Sequence, residues 1–232
     1  MLKRDCLNKD YAALVEKTAL RFSSSGRFVQ GFVRGKLLHD PVYREVLQMD
    51  VLPVQGKIVD LGCGRGILLA LLTTLQHSNS ALNTRLEYQG FELSENAARI
   101  AQNTLGMDAT IVNADIRSKD LPDCQAVLLL DVLMYMRNED QEALLQEVAR
   151  VLQSNGVLII READAGSGFA FAITWLAERF CAFARGHWRQ RYGYRSKQEW
   201  NRVLEQLGFK VDMAPMSQGT PFANVLFIAR PG

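Results

Sequence analysis

Four carboxylates and a cluster of glycines carry the chemistry that this sequence can do. Val59-Asp60-Leu61-Gly62-Cys63-Gly64-Arg65-Gly66 includes the end of a short β-branched apolar run, Lys57-Ile58-Val59, and leads into Ile67-Leu68-Leu69-Ala70-Leu71-Leu72, which opens an apolar helix. Strand, glycine turn and helix in that order form the first unit of an α/β nucleotide-binding fold. The glycines let backbone approach a ligand with no Cβ in the way. The helix N-terminus offers unpaired N–H groups to a carboxylate or phosphate. Asp60, Glu92, Asp115 and Asp131 each stand at the end of an expected strand. Ligands of open α/β sheets sit at those ends. A carboxylate ending the second strand can accept hydrogen bonds from both hydroxyls of a ribose, as in NAD enzymes. Their GxGxxG fingerprint needs glycine at position 67, where this chain has Ile67 and reads GxGxG instead.

The alternation around these residues predicts the elements that must hold them. Strands are expected over 57–61, 86–91, 110–112, 126–130 and 157–160, with closing strands over 209–211 and 223–229. The run Ala126-Val127-Leu128-Leu129-Leu130 is apolar throughout, as a parallel strand buried on both faces should be. Helices are expected over 66–76, 95–105 (Ser94 as N-cap, without a full capping box), 139–152 (ended by Ser154-Asn155-Gly156) and 199–207 (capped by Ser196, closed by Gly208). Before the first strand, residues 8–24 repeat Tyr11, Leu14, Val15, Thr18, Ala19 and Phe22 at helical spacing. Ser23-Ser24-Ser25-Gly26 breaks that helix, a second covers 28–38, and Asp40-Pro41 starts a third. This helical segment either packs against the sheet edge or forms a lid over the ligand.

The chain has 232 residues, 48% apolar and 22% charged, with net charge +2. That is the balance of a globular domain, and the charge is too small to argue for a nucleic-acid partner. A single domain is expected, divided into a helical N-terminal segment (1–50), a core (55–165), a cap insert (166–195) and a closing helix and hairpin (196–232). Cys6, Cys63, Cys124 and Cys181 are far apart and lack metal-ligand spacing, so no metal site is expected. The first residues lack the apolar core of a signal peptide, and no apolar run is long enough to span a bilayer. The expected location is cytoplasmic.

The motif set resembles the class I (Rossmann-like) S-adenosylmethionine-dependent methyltransferases, motif by motif over residues 55–165. The stretch at 59–66 resembles the family's first motif, which implies that Asp60, Gly62, Cys63, Gly64 and Gly66 lie against the methionine part of the cofactor. Gly90-Phe91-Glu92-Leu93-Ser94 resembles the second, implying Glu92 on the ribose and Leu93 beside the adenine. Asn113-Ala114-Asp115-Ile116 resembles the third, with Asp115 near the adenine amino group. Leu130-Asp131-Val132-Leu133 resembles the fourth, with Asp131 and Val132 at the amino-acid end of the cofactor. The resemblance implies a doubly wound, mostly parallel α/β sheet of seven strands, order 3-2-1-4-5-7-6, with the last strand antiparallel. It implies S-adenosyl-L-methionine as cofactor and S-adenosyl-L-homocysteine as product, with direct in-line methyl transfer that requires no metal. The chain departs from small-molecule members after Asp131, where a histidine is common and Met134-Tyr135-Met136 stands. The Asn/Asp-Pro-Pro-aromatic signature of nucleic-acid members is absent.

Candidate bases are His187, Tyr135, Glu162 and Asp164; the two acids lie beyond the fifth strand, where they either contact the substrate or form salt bridges to Arg161 or Arg189. The insert over 169–194 is rich in aromatics and ends in a basic stretch, Arg185-Gly186-His187-Trp188-Arg189-Gln190-Arg191. It reads either as a helical cap with an aromatic core or as an apolar pocket rimmed by arginines, for an aromatic, acyl or carrier-protein-bound substrate. A membrane-surface contact is a further use of such a stretch. The segments 28–38 and 185–194 are also similar to methyltransferases of bacterial aryl-polyene-type pigment clusters, which would imply an aromatic ring carbon or phenol as acceptor. Two rival functions fit parts of the pattern: an NAD-dependent oxidoreductase and a non-catalytic cofactor-binding module.

Overall fold

The computed structural model describes residues 4–78, 85–168, 171–173, 175–176, 192–218 and 221–232. Strands β1 (Gln55–Leu61), β2 (Arg85–Glu92), β3 (Thr110–Asn113), β4 (Cys124–Leu130), β5 (Leu152–Ala163), β6 (Phe209–Pro215) and β7 (Asn224–Pro231) form one sheet of order 3-2-1-4-5-7-6. β1, β2 and β3 pair in parallel, as do β4 and β5, while β7 is antiparallel to both β5 and β6. This is the expected topology. Two compact units make up the chain, Met1–Ser118 and Lys119–Gly232.

In the first unit, α1 (Arg4–Leu20), α2 (Arg27–His39) and α3 (Pro41–Gln48) precede the first strand. The expected periodicity of α1 is its buried face: Tyr11, Leu14, Val15, Thr18 and Ala19 are all buried. The Tyr11 hydroxyl donates to the Leu37 carbonyl at 2.7 Å, which fixes α1 against α2. Arg21 donates to Thr73 Oγ1 at 2.7 Å on α4 (Ile67–Ser78) and to Asp108 Oδ2 at 2.6 Å beyond α5 (Glu95–Leu105). Asp40 caps α3 by accepting the Val42 N–H at 3.3 Å, with Pro41 at the first helical position where no N–H is needed.

In the second unit, β4 is followed by a 3-10 turn (Leu133–Tyr135), then α6 (Asn138–Val151). The helix passes straight into β5 at Leu152. The expected break at Ser154-Asn155-Gly156 is an irregularity in that strand: Cys124 pairs with Leu152 and Ala126 with Val157, so residues 153–156 bulge from the ladder. A Cβ on Gly156 would stand 2.8 Å from Leu152 Cγ and 2.9 Å from the Gln125 carbonyl oxygen, so glycine lets the chain fold back there. The last helix, α7 (Lys197–Gln206), begins with a full capping box in which Ser196 and Glu199 serve each other's backbone N–H groups. Among the described residues no helix is long and apolar enough to cross a membrane.

Candidate active site

β1 delivers its last residues into a turn built on left-handed backbone. Gly64 has φ 57° and Gly66 φ 73°, conformations that cost a residue with a side chain. At Gly66 a Cβ would also stand 2.9 Å from Leu105 Cδ1 and 3.1 Å from Ala101 Cβ, so glycine sets how closely α5 approaches the turn. The turn is tied to β2 by two hydrogen bonds: the N–H groups of Gly62 and Cys63 both donate to the Phe91 carbonyl, at 2.8 and 2.9 Å. Gly64 donates its N–H to Glu92 Oε2 at 2.9 Å, and Ser94 donates to Glu92 Oε1 at 2.7 Å. Each Glu92 oxygen therefore holds one backbone donor and keeps a lone pair for another.

Asp60 is 4% exposed and its carboxylate has no hydrogen-bond partner among the described residues. Burial, with the Glu92 charge adding to it, pushes its pKa up from 3.8 to about 7. Burial likewise pushes the Cys63 thiol well up, helped by the charges of Asp60 and Glu92, so it is an inert packing group rather than a nucleophile. Cys63 Sγ occupies the space a Cβ on Gly90 would need, at 2.7 Å. Leu93 is exposed and Ile116 buried. Asp115 is held by its neighbour: Arg117 Nε donates at 2.9 and 3.1 Å to its two oxygens, which lowers its pKa.

In the second unit, β4 leads directly into Asp131, whose φ is 58°. Asp131 donates its N–H to the Arg161 carbonyl at 2.9 Å, and its carboxylate receives the Arg161 guanidinium through Nε at 2.8 Å and through Nη2. Glu162, beside Arg161, is buried and accepts the N–H groups of Val132 at 3.0 Å and Leu133 at 2.7 Å through one oxygen. Burial and the nearby Asp131 charge push its pKa up to about 8. Glu162 thus caps the turn that carries Tyr135, which is part exposed, with its ring 5.6 Å from that of Tyr192.

Of the two arginines weighed as partners of Glu162 and Asp164, the structure describes Arg161. Arg161 pairs with Asp131, not with Glu162 or Asp164. Alternation along β5 puts neighbours on opposite faces, so Arg161 and Glu162 reach different partners. Asp164 accepts from the N–H groups of Gly166 and Lys197, both at 2.9 Å, and from Ser167 Oγ at 2.8 Å. Burial would raise its pKa, but these bonds keep it below the usual range. His187 and Arg189 lie outside the described residues, as does most of the 169–194 insert. Two supporting residues escaped the sequence reading. Gln141, fully buried, donates to the carbonyls of Leu133 at 2.9 Å and Gly193 at 2.7 Å. Arg195 donates to Gln141 Oε1 at 2.9 Å and Glu142 Oε1 at 2.6 Å.

A sheet of this order, with a glycine turn after β1 and a carboxylate ending β2, defines the class I Rossmann-like methyltransferase fold. Residues 59–160 match the family described as "Methyltransferase domain", and the chain has the class I methyltransferase fold. It is 26% identical over 137 residues to the carboxy-S-adenosyl-L-methionine synthase of Psychrobacter sp. (strain PRwf-1), covering 57% of this chain and 49% of that protein. The chain spans about half the length of the curated relatives it matches. Human N-acetylserotonin methyltransferase, solved in complex with SAM, superposes with a TM-score of 0.63 at 15% identity, over 91% of this chain and 56% of that one. Magnesium protoporphyrin IX methyltransferase from Synechocystis PCC 6803, solved with bound SAH, gives 0.59 at 20% identity, over 89% of each chain.

Proposed function

We propose that this protein transfers a methyl group from S-adenosylmethionine to a small, fairly apolar acceptor by in-line displacement. The observation that carries the reading is the Gly64 to Glu92 hydrogen bond, which fixes a glycine turn against a carboxylate with spare acceptor capacity. The cofactor supplies the sulfonium methyl and its leaving group, so the protein's part is to bind and orient. Glu92 accepts the ribose hydroxyls, with Leu93 and Ile116 beside the adenine and Asp115 toward its amino group. Asp60 suits a cationic ligand: a buried carboxylate without a hydrogen-bond donor is stabilised by an incoming positive group. Gly62, Cys63, Gly64 and Gly66 supply backbone at the methionine end, where Asp131 and Val132 are also assigned. Glu162 holds the turn bearing Tyr135, and Tyr135 contacts the acceptor. The buried thiols of Cys63 and Cys124 fit a reducing, cytoplasmic setting.

Calorimetry with S-adenosylmethionine, S-adenosylhomocysteine and NADH tests the reading. Binding of the first two and not the third is expected. Binding of NADH alone would replace it with the oxidoreductase. Mass analysis of the cofactor after incubation separates methyl donation from conversion of the cofactor itself, the reaction named for the Psychrobacter relative.

A further inference from the structure

Helix α2 is turned the wrong way for a helix that only packs. It buries Val33 and Leu37, yet Phe28 is 82% and Phe32 43% exposed. Phe28, Gly31, Phe32 and Gly35 recur at i, i+3, i+4 and i+7, so they share one face, away from the buried one. The two glycines are unexplained by the fold. A Cβ at Gly31 or Gly35 would meet nothing within 4 Å, and neither has left-handed backbone. Glycine in a helix interior is destabilising relative to alanine, so packing and backbone geometry alone would favour alanine at both.

This face is joined to the glycine turn at one place. Arg65, between Gly64 and Gly66, holds its guanidinium 4.9 Å from the centre of the Phe32 ring. Arg65 is half-buried and has no ion pair or hydrogen bond among the described residues. A ring face satisfies the charge in part but takes none of the five N–H donors in the guanidinium plane. Such a fork matches a carboxylate in two-point contact. An aromatic shelf, two bare helix positions and an unfilled arginine fork thus stand together at the cofactor turn.

We infer that Arg65 is the substrate-anion anchor, and that the acceptor is an apolar, planar acid whose flat body lies on the Phe28-Gly31-Phe32-Gly35 face with its carboxylate on Arg65. This rests on the methyltransferase reading and names the class of its acceptor. The bare glycines give a flat body room to approach the helix, and the two phenylalanines give it ring contacts. Charge complementarity fixes which end meets the cofactor turn.

The test uses 2-naphthoate and its uncharged counterpart 2-naphthamide, titrated against the full chain with and without S-adenosylhomocysteine. The wild type is expected to bind naphthoate at least tenfold tighter than naphthamide. Arg65→Gln abolishes that preference while its affinity for S-adenosylhomocysteine stays within twofold. Gly31→Ala raises the melting temperature yet weakens both probes several-fold, a combination that a purely structural role does not produce. Equal affinity of the wild type for both probes, or an Arg65→Gln variant that still prefers naphthoate, overturns the inference. A tenfold loss of S-adenosylhomocysteine affinity in Arg65→Gln also overturns it, assigning the arginine to the cofactor's own carboxylate. A wild type that binds no S-adenosylhomocysteine but prefers naphthoate through Arg65 overturns the methyltransferase reading and leaves the anion site standing.

Discussion

Gly64 and Glu92, 28 positions apart, are joined by a backbone N–H to carboxylate bond of 2.9 Å. One side chain therefore sets the shape of the turn and also presents the acceptor proposed for the cofactor's ribose. Glu92→Ala removes both functions and orphans the Gly64 and Ser94 donors. Stability is expected to fall by about 1–3 kcal/mol, read by urea denaturation, and affinity for S-adenosylmethionine by more than tenfold, read by calorimetry. Unchanged affinity would remove Glu92 from the site.

Two buried acids give stability a definite slope with pH. Asp60 has its pKa raised from 3.8 to about 7, and Glu162 from 4.5 to about 8. The folded state then binds more protons than the unfolded state between those values, so stability falls as pH rises. The contribution is fully present below about pH 4 and is lost through pH 7 to 8. Asp60→Asn should flatten the lower part of this slope and Glu162→Gln the upper. Melting temperatures of the three proteins from pH 5 to 8 check it; parallel curves would show that neither acid titrates in that window.

The Arg161–Asp131 pair should behave as a buried pair does. The guanidinium side is 3% exposed and the carboxylate 30%. Asp131→Ala takes this carboxylate from a buried cation and is expected to cost about 3 kcal/mol. Asp131→Asn should cost less, because asparagine tolerates the left-handed backbone at this position. Arg161→Met combined with Asp131→Ala should recover much of the loss. A double variant as unstable as the sum of the singles would mean that the two groups are not energetically coupled.

Gly90 sits beside the glycine turn with no room for a side chain. A Cβ there would meet Cys63 Sγ at 2.7 Å and Ile111 Cδ1 at 2.8 Å. Gly90→Ala should therefore destabilise by about 1–3 kcal/mol. Adding Cys63→Ala removes one clash and should restore part of it. Chemical denaturation of both variants decides; a neutral Gly90→Ala would show that β2 yields at that point.

The sheet was readable because its strands are written in apolar runs separated by glycine and polar turns. Val127, Leu128 and Leu129 are buried as a strand covered on both faces must be. Asp40 and Ser196 were readable as caps because capping is a local bond between near neighbours. The partnership of Glu162 with Val132 and Leu133 was not, since separations of 30 and 29 positions carry no trace of the register that brings them together. Gly156 signals the break before the apolar run of β5, but the closeness of Leu152 and Gln125 that requires glycine there is not written in the sequence. Gln141 reads as an ordinary helix-surface residue until the Leu133 carbonyl is placed beside it.

The chain leaves β5 at Asp164-Ala165 and returns at Arg195-Lys197, and the two ends are pinned together. Ala165 donates to the Arg195 carbonyl at 3.1 Å, and the Lys197 N–H donates to Asp164 at 2.9 Å. Arg195 is further clamped by Glu142 and by the Trp200 ring 5.3 Å away. A stem closed in this way makes the intervening stretch an exchangeable cassette. Loop-closure entropy grows only slowly with length, so homologous stretches of different size and chemistry can be spliced between 166 and 191 while the fold that carries the glycine turn stays as it is. Substitution of this one segment can then proceed at little expense to the rest of the domain.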